Sequence, residues 1–141
     1  MAKPNERVVI TDQVELLLRR VHPTQIKDGR PSKTTFFPRP ADHGLVSVDR
    51  QSLVTPADCY AAYAAAKNLV APKRGGIWAV SVGECAGTSL TCLTDPLSGD
   101  EPAGPNPAHA LIDMSGLSEE AAHTAAATLF AAAKTRGQLA P

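Results

Sequence analysis

The stretch GLVSVDRQSLVTPADCYAAYAAAKNL, residues 44–69, decides the fold class because it places a strand directly before a helix. In its first part, apolar Val46 and Val48 alternate with polar residues, which is typical of a short half-buried strand over residues 45–49. Thr55 then supplies an N-cap hydroxyl, and a proline follows at the first helical position. The stretch therefore predicts a strand, a short connection and a helix.

Upstream, the segment TDQVELLLRRV at residues 11–21 predicts another helix. Thr11 or Asp12 can cap its N-terminus, and Pro23 ends the pattern. Its apolar residues recur at a spacing that puts them on one helical face; they are Val14, Leu17, Leu18 and Val21. A short extended piece at residues 7–10 is expected before this helix.

Downstream, strands and one long helix complete the pattern. The run GGIWAVSV at residues 75–82 is β-branched and apolar, as in a buried strand. Further strands are expected at residues 91–93 and 109–114. The last helix has Ser118 as N-cap, two glutamates in its first turn, and Gly137 at its end, all favourable for helix termini.

These elements predict an α+β fold of about four strands and three helices in the order αβαββα. We interpret this order as a two-layer sandwich in which helices pack on one face of a small sheet. The chain of 141 residues fits a single domain, residues 1–141. Two long connections are predicted: a Pro-rich ordered loop at residues 22–44 and a Pro/Gly loop at residues 98–107.

Composition excludes several classes of protein. Fourteen basic and fourteen acidic residues cancel, which removes the usual electrostatic argument for binding nucleic acid. The three cysteines have neither a disulfide-framework pattern nor zinc-finger spacing, which favours a reducing compartment. No apolar run approaches the roughly 20 residues of a membrane helix, and the N-terminus lacks the apolar core of a signal peptide. We therefore predict a cytoplasmic protein that does not contact a membrane.

The sharpest catalytic motif is GECAG at residues 83–87, where glycines flank Cys85 after a predicted buried strand. Such a turn can present a nucleophile above a sheet. His109 and Asp113, four residues apart on one strand, share a face and could serve as base and orienting acid. The alternative interpretation is a buried structural cysteine in a glycine turn, which we favour because short motifs often match by accident.

The loop at residues 22–44 holds the candidate binding residues. Its charged and hydroxyl side chains could line a polar cleft, in which an arginine holds a carboxylate or phosphate. The two adjacent phenylalanines, Phe36 and Phe37, would pin the loop to the core, because burial of their apolar surface is favourable. The candidate binding residues are His22, Asp28, Arg30, Ser32, Arg39, Asp42 and His43.

No metal site or cofactor is predicted, because the histidines and cysteines are scattered without the close spacing of a ligand pair. Two functions remain. The first is a small interaction module that binds another protein, as an accessory, immunity or regulatory subunit without catalysis of its own. The second is a small cysteine-dependent hydrolase or transferase that uses Cys85. Nucleic-acid binding is disfavoured, and the alanine-rich last helix leaves a homo-oligomer open.

Overall fold

A computed structural model describes residues 7–27, 30–67, 75–98 and 105–140. Its strands are β1 (Leu16–Arg20), β2 (Ile26–Lys27), β3 (Arg30–Pro31), β4 (Leu45–Arg50), β5 (Ile77–Ser81), β6 (Thr91–Thr94) and β7 (His109–Asp113). Its α-helices are α1 (Pro56–Lys67), α2 (Val82–Gly87) and α3 (Glu119–Arg136). Single 3₁₀ turns lie at Pro23–Gln25, Lys33–Phe36 and Pro40–Asp42.

Five strands form one antiparallel sheet in the spatial order β5-β1-β4-β7-β6, and β2 and β3 form a separate ribbon. The α+β class is therefore as predicted. The main sheet has five strands where about four were expected, and the additional one is β1. Among the described residues, no helix is long and apolar enough to cross a membrane.

The prediction of a helix at residues 11–21 is wrong, because β1 occupies its second half. Leu17 and Leu18 are both completely buried, although neighbouring residues of a strand point to opposite faces. A strand between two others can bury both faces, which a run of leucines suits. Val14, expected on the buried helical face, is 81% exposed. Burial of both leucines in the sheet therefore outweighs the helical spacing of the apolar residues.

Helices lie on both faces of the sheet, so the expected packing on one face alone is not found. Leu17 belongs to the main apolar cluster, which includes Leu129 of α3. Leu18 belongs to a second cluster, which includes Cys59 of α1. Since Leu17 and Leu18 point to opposite faces, α3 covers one side of the sheet and α1 packs on the other.

The remaining helices follow their local signals. α1 begins at Pro56 and α3 begins after Ser118, whose hydroxyl accepts a hydrogen bond of 3.1 Å from the Ala121 amide. α2 was not predicted. It begins with a reciprocal cap in which the Glu84 amide donates to Ser81 Oγ at 3.0 Å and the Ser81 amide donates to Glu84 Oε1 at 2.7 Å.

Both edges of the sheet carry extra segments. The expected extended piece at residues 7–10 is present, and Val9 forms an antiparallel bridge with Leu93 of β6. On the opposite edge, Ala140 bridges Ile77 of β5. The predicted loop at 98–107 lies largely outside the described residues, but Leu97 and Asn106 close its ends with two hydrogen bonds of 3.0 Å.

Candidate interaction surface

The loop at residues 22–44, which we call the ridge, is anchored through its second half. Phe36 is completely buried in the main cluster, and the turn Lys33–Phe36 packs against α3. Thr35 is also completely buried, and its hydroxyl donates to the Ser32 carbonyl at 2.7 Å. Because its polar group is satisfied, Thr35 can be buried at little cost. This part of the ridge is therefore a portion of the folded core.

Phe37 joins the ridge to α3 at the surface. Its ring stacks on the imidazole of His123, with ring centroids 3.9 Å apart and planes inclined by 7°. His123 belongs to α3. Its side chain is 54% exposed, so the stack lies at the protein surface and extends the ridge onto α3.

Arg19 of β1 connects the ridge to the sheet through two hydrogen bonds. Its Nε donates to the Thr35 carbonyl at 2.8 Å, and its Nη1 donates to the Ser47 carbonyl of β4 at 2.8 Å. Burial lowers the pKa of the Arg19 guanidinium to about 10, while the charge of Asp42 acts in the opposite direction. The guanidinium thus remains charged at neutral pH and lies close enough to Asp42 to feel its field.

The outer part of the ridge carries a tight ion pair. Arg39 donates from Nε and Nη2 to the two carboxylate oxygens of Asp42, each at 3.0 Å. The hydrogen bond from Arg39 lowers the pKa of the Asp42 carboxyl below its usual value. The Arg39 side chain is 77% exposed. This bidentate geometry therefore holds a planar cation at the surface in a fixed orientation.

The ridge ends in a tight turn that leads into β4. His43 has a left-handed backbone with φ of 54°, and Gly44 follows with φ of 82°. A Cβ atom at Gly44 would lie 2.6 Å from Ser115 Cα, so only glycine fits there. The backbone therefore has little conformational freedom immediately after the Arg39–Asp42 pair.

Among the described members of the predicted binding set, the hydrogen bonds are local and no shared polar cleft is formed. His22 bonds to Thr24 at 2.8 Å, and Ser32 bonds to Thr34 at 2.6 Å. Within the described part of the chain, the pair Arg39 and Asp42 is the only hydrogen-bonded link between two members of the predicted set. Asp28 and the side chain of Arg30 lie outside the described residues.

Cys85 lies inside α2 and is completely buried in the main cluster. Hydrogen bonding with Cys92 and burial both raise the pKa of its thiol. A thiol in this environment stays protonated and has no access to a substrate. The interpretation of GECAG as a nucleophile elbow is therefore not supported by this geometry.

His109 and Asp113 lie on β7 with the parity that was predicted, but neither approaches Cys85. Ile112 of β7 pairs with Cys92 and shares the main cluster with Cys85, so His109 and Asp113 point to the opposite face of the sheet. His109 Nδ1 bonds instead to Asp95 Oδ2 at 3.0 Å, and Asp113 accepts from Ser115. The three residues do not form a catalytic constellation.

The second face of the sheet holds a buried polar network around Asp49, which is 3% exposed. Its carboxylate accepts from Arg20 at 2.9 Å, from the Cys59 thiol at 3.1 Å and from Asn106 at 2.9 Å. Burial raises the pKa of Cys59 to about 12, so this thiol acts as a donor. The network connects β1, β4, α1 and the chain before β7. Its polar side chains therefore have a structural role, because each is hydrogen-bonded within the fold.

Two open grooves run along α3. The larger has a volume of about 470 Å³ and lies beside the N-terminal half of the helix, and the second, of about 420 Å³, lies beside its C-terminal part. Alanines and threonines of α3 supply half of the residues that line the larger groove and three of the five that line the second. No described lining residue of either groove is a cysteine or a histidine, so these residues offer no catalytic group of the predicted kind.

The described residues contain no group of three or more histidines, cysteines, aspartates or glutamates that could hold a metal ion. Comparison with known proteins gives no further guide. No protein-family model matches the chain, and neither curated proteins nor solved structures include a match. The surface must therefore be interpreted from its own chemistry.

Sequence reasoning missed Arg19 and His123 as parts of this surface. Arg19 was assigned to a helix, although the uninterrupted Leu16–Leu18 run before it is also typical of a central strand. No local signal could have paired His123 with Phe37, because these residues are distant in the chain and meet only through packing of α3.

Proposed function

We propose that this protein is a small cytoplasmic interaction module that binds another protein through the ridge, as an accessory, immunity or regulatory subunit, and has no catalysis of its own. The partner would contact the outer side of the ridge, where Arg39 and Asp42 are displayed. The ring stack of Phe37 on His123 would form part of the same contact area.

The observation that carries this proposal is the double anchoring of the ridge. Phe36 holds it from within the core, and Arg19 holds its backbone from the sheet. A long loop loses conformational entropy when it binds, and this loss weakens the complex. A loop that is already fixed by folding avoids most of that cost, and long ordered loops are more often functional than not.

The chemistry of the outer side also suits a protein partner. Arginine and aromatic side chains are enriched in the cores of protein–protein interfaces relative to the rest of the protein surface. Arg39 and Phe37 supply one of each on the ridge. Balanced net charge disfavours nucleic acid as the partner. The cysteine-dependent alternative would require Cys85 to leave the core before it could react.

The test is capture of the tagged, full-length protein from its own host at natural abundance, followed by native mass spectrometry. We expect a stoichiometric protein partner, because the ridge is built as a permanent surface. Chemical cross-linking of the captured complex should place the partner near Lys33, an exposed lysine on the ridge.

Matched variants separate the ridge from the rest of the surface. Arg39→Glu reverses one exposed charge on the ridge, and Lys134→Glu makes the same change at an exposed position on α3. We expect the first to reduce recovery of the partner at least about tenfold, since central interface arginines can contribute 2 kcal/mol or more. The second should leave recovery unchanged. Equal recovery with both variants would remove the ridge from the interface.

A further inference from the structure

Within the part of the chain that the structure describes, the outer edge of the sheet next to β6 has backbone groups without hydrogen-bond partners. The Thr94 amide donates to the Val8 carbonyl at 2.8 Å, and the Ile10 amide donates to the Cys92 carbonyl at 2.9 Å. In an antiparallel pair the residue between these two then points its own N–H and C=O away from the neighbouring strand. That residue is Val9, and no described residue hydrogen-bonds to its backbone.

At the opposite edge of the sheet, the backbone of the edge strand β5 is hydrogen-bonded to another segment. There the chain near the C-terminus covers β5, since the Ile77 amide donates to the Ala140 carbonyl at 3.1 Å and the Leu139 amide donates to the Ile77 carbonyl at 2.8 Å. Native proteins commonly cover, charge or twist their sheet edges to prevent pairing with other chains. Within the described residues, the edge at Val9 has no such cover.

Apolar side chains are exposed at the same place. Val8 is 58% exposed and Val9 is 54% exposed. They are two of only four large apolar side chains that are exposed in the described parts of the chain, and they are adjacent. Unpaired backbone groups and exposed β-branched side chains on one edge together favour addition of another strand.

The edge is complementary to itself. If two copies meet antiparallel about a two-fold axis at Val9, the two Val9 residues exchange both of their backbone hydrogen bonds. Val8 of each copy then lies opposite Ile10 of the other, so apolar β-branched residues face each other in every one of these pairs. Arg7 lies opposite Thr11, so no like charges are placed opposite each other within residues 7–11.

From this register we propose that a second copy of this chain adds to the edge at residues 7–11, so that the two sheets become one continuous sheet across a dimer. This interface does not include the ridge, so the dimer proposal does not depend on the proposed function. A contact of one short strand pair is below the size of standard stable interfaces, so the dimer should be weak and concentration-dependent.

The test is sedimentation velocity of the purified full-length protein up to about 1 mM, which covers the range of weak association. We expect reversible dimers. Val9→Pro removes the outward amide and breaks no internal hydrogen bond, because the Val9 amide has none. Val9→Lys keeps the amide but places a charge on the edge. Each variant should weaken the dimer at least about tenfold.

Val14→Lys is the matched control, because Val14 is 81% exposed and directly precedes Glu15 and β1, which β4 and β7 separate from β6. It should dimerise like the wild type. Hydrogen exchange adds a second readout, since the Val9 amide should become protected only at concentrations at which dimers form. A wild-type chain that remains monomeric, a dimer that both Val9 variants leave intact, or equal dissociation of Val14→Lys would each overturn the proposal.

Discussion

Replacement of Phe36 by alanine tests whether the ridge is part of the core. The side chain is completely buried. Burial of a phenylalanine removes about 150–250 Å² from water, which is worth about 4–6 kcal/mol at about 25 cal/mol per Å² as an upper bound. Alanine recovers a little of this, so the free energy of unfolding should fall by about 3–5 kcal/mol.

The assay is equilibrium unfolding in urea, with fluorescence of Trp78, the only tryptophan, and circular dichroism recorded on the same samples. Leu53→Ala is the control, because Leu53 is 56% exposed and its truncation should change stability by less than about 0.5 kcal/mol. The slope of the transition should be the same in both variants, which would show that only stability has changed.

A ridge that detaches without affecting the fold would give a different result. If Phe36→Ala lowered the free energy of unfolding by less than about 1 kcal/mol, the phenylalanine would not be filling the core as described. The ridge would then be a loop that rests on the domain. Binding through such a loop would then carry its full cost in conformational entropy.

Two further predictions concern ionisable groups. Cys85 should resist iodoacetamide at about pH 8 in the folded protein and react fully in denaturant, because a buried protonated thiol is inert. The measurement is mass spectrometry of the treated protein, and alkylation of Cys85 in the native state would contradict the prediction. Burial opposes ionisation of Glu84, but hydrogen bonds from Arg136 and Ser81 outweigh it and lower its pKa below 4.5. Glu84 therefore stabilises the fold above that pH and loses this effect as pH falls, so Glu84→Gln should flatten the stability profile between about pH 5 and about pH 3.

Elements whose start or pattern is set by neighbouring residues in the chain could be predicted from the sequence. Pro56 and Ser118 determine where α1 and α3 begin, through local backbone geometry and hydrogen bonding that need no distant partner. The strand at 45–50 follows from its alternation of apolar and polar residues, because one face is buried more than the other. In each case the decisive interactions lie within a few residues of the chain.

The site could be predicted only in part. The two phenylalanines were expected to pin the ridge, and Phe36 is indeed in the core. The polar cleft was expected because charged residues are close in sequence, yet among the described members of that set only Arg39 and Asp42 are joined by hydrogen bonds. Arg39 and Asp42 meet because a single 3₁₀ turn separates them. The role of Arg19 depends on two carbonyls from distant segments.

The amino-acid sequence by itself determined the α+β class, the starts of the long helices and the anchoring of the ridge by phenylalanine. Tertiary structure decided that Leu16–Arg20 is a central strand, because only a sheet with helices on both faces can bury Leu17 and Leu18 together. It also buried Cys85, placed His109 on the opposite face and left Val9 at a sheet edge that no other described residue covers. These outcomes depend on which strands become neighbours, and strand order is a property of the whole chain.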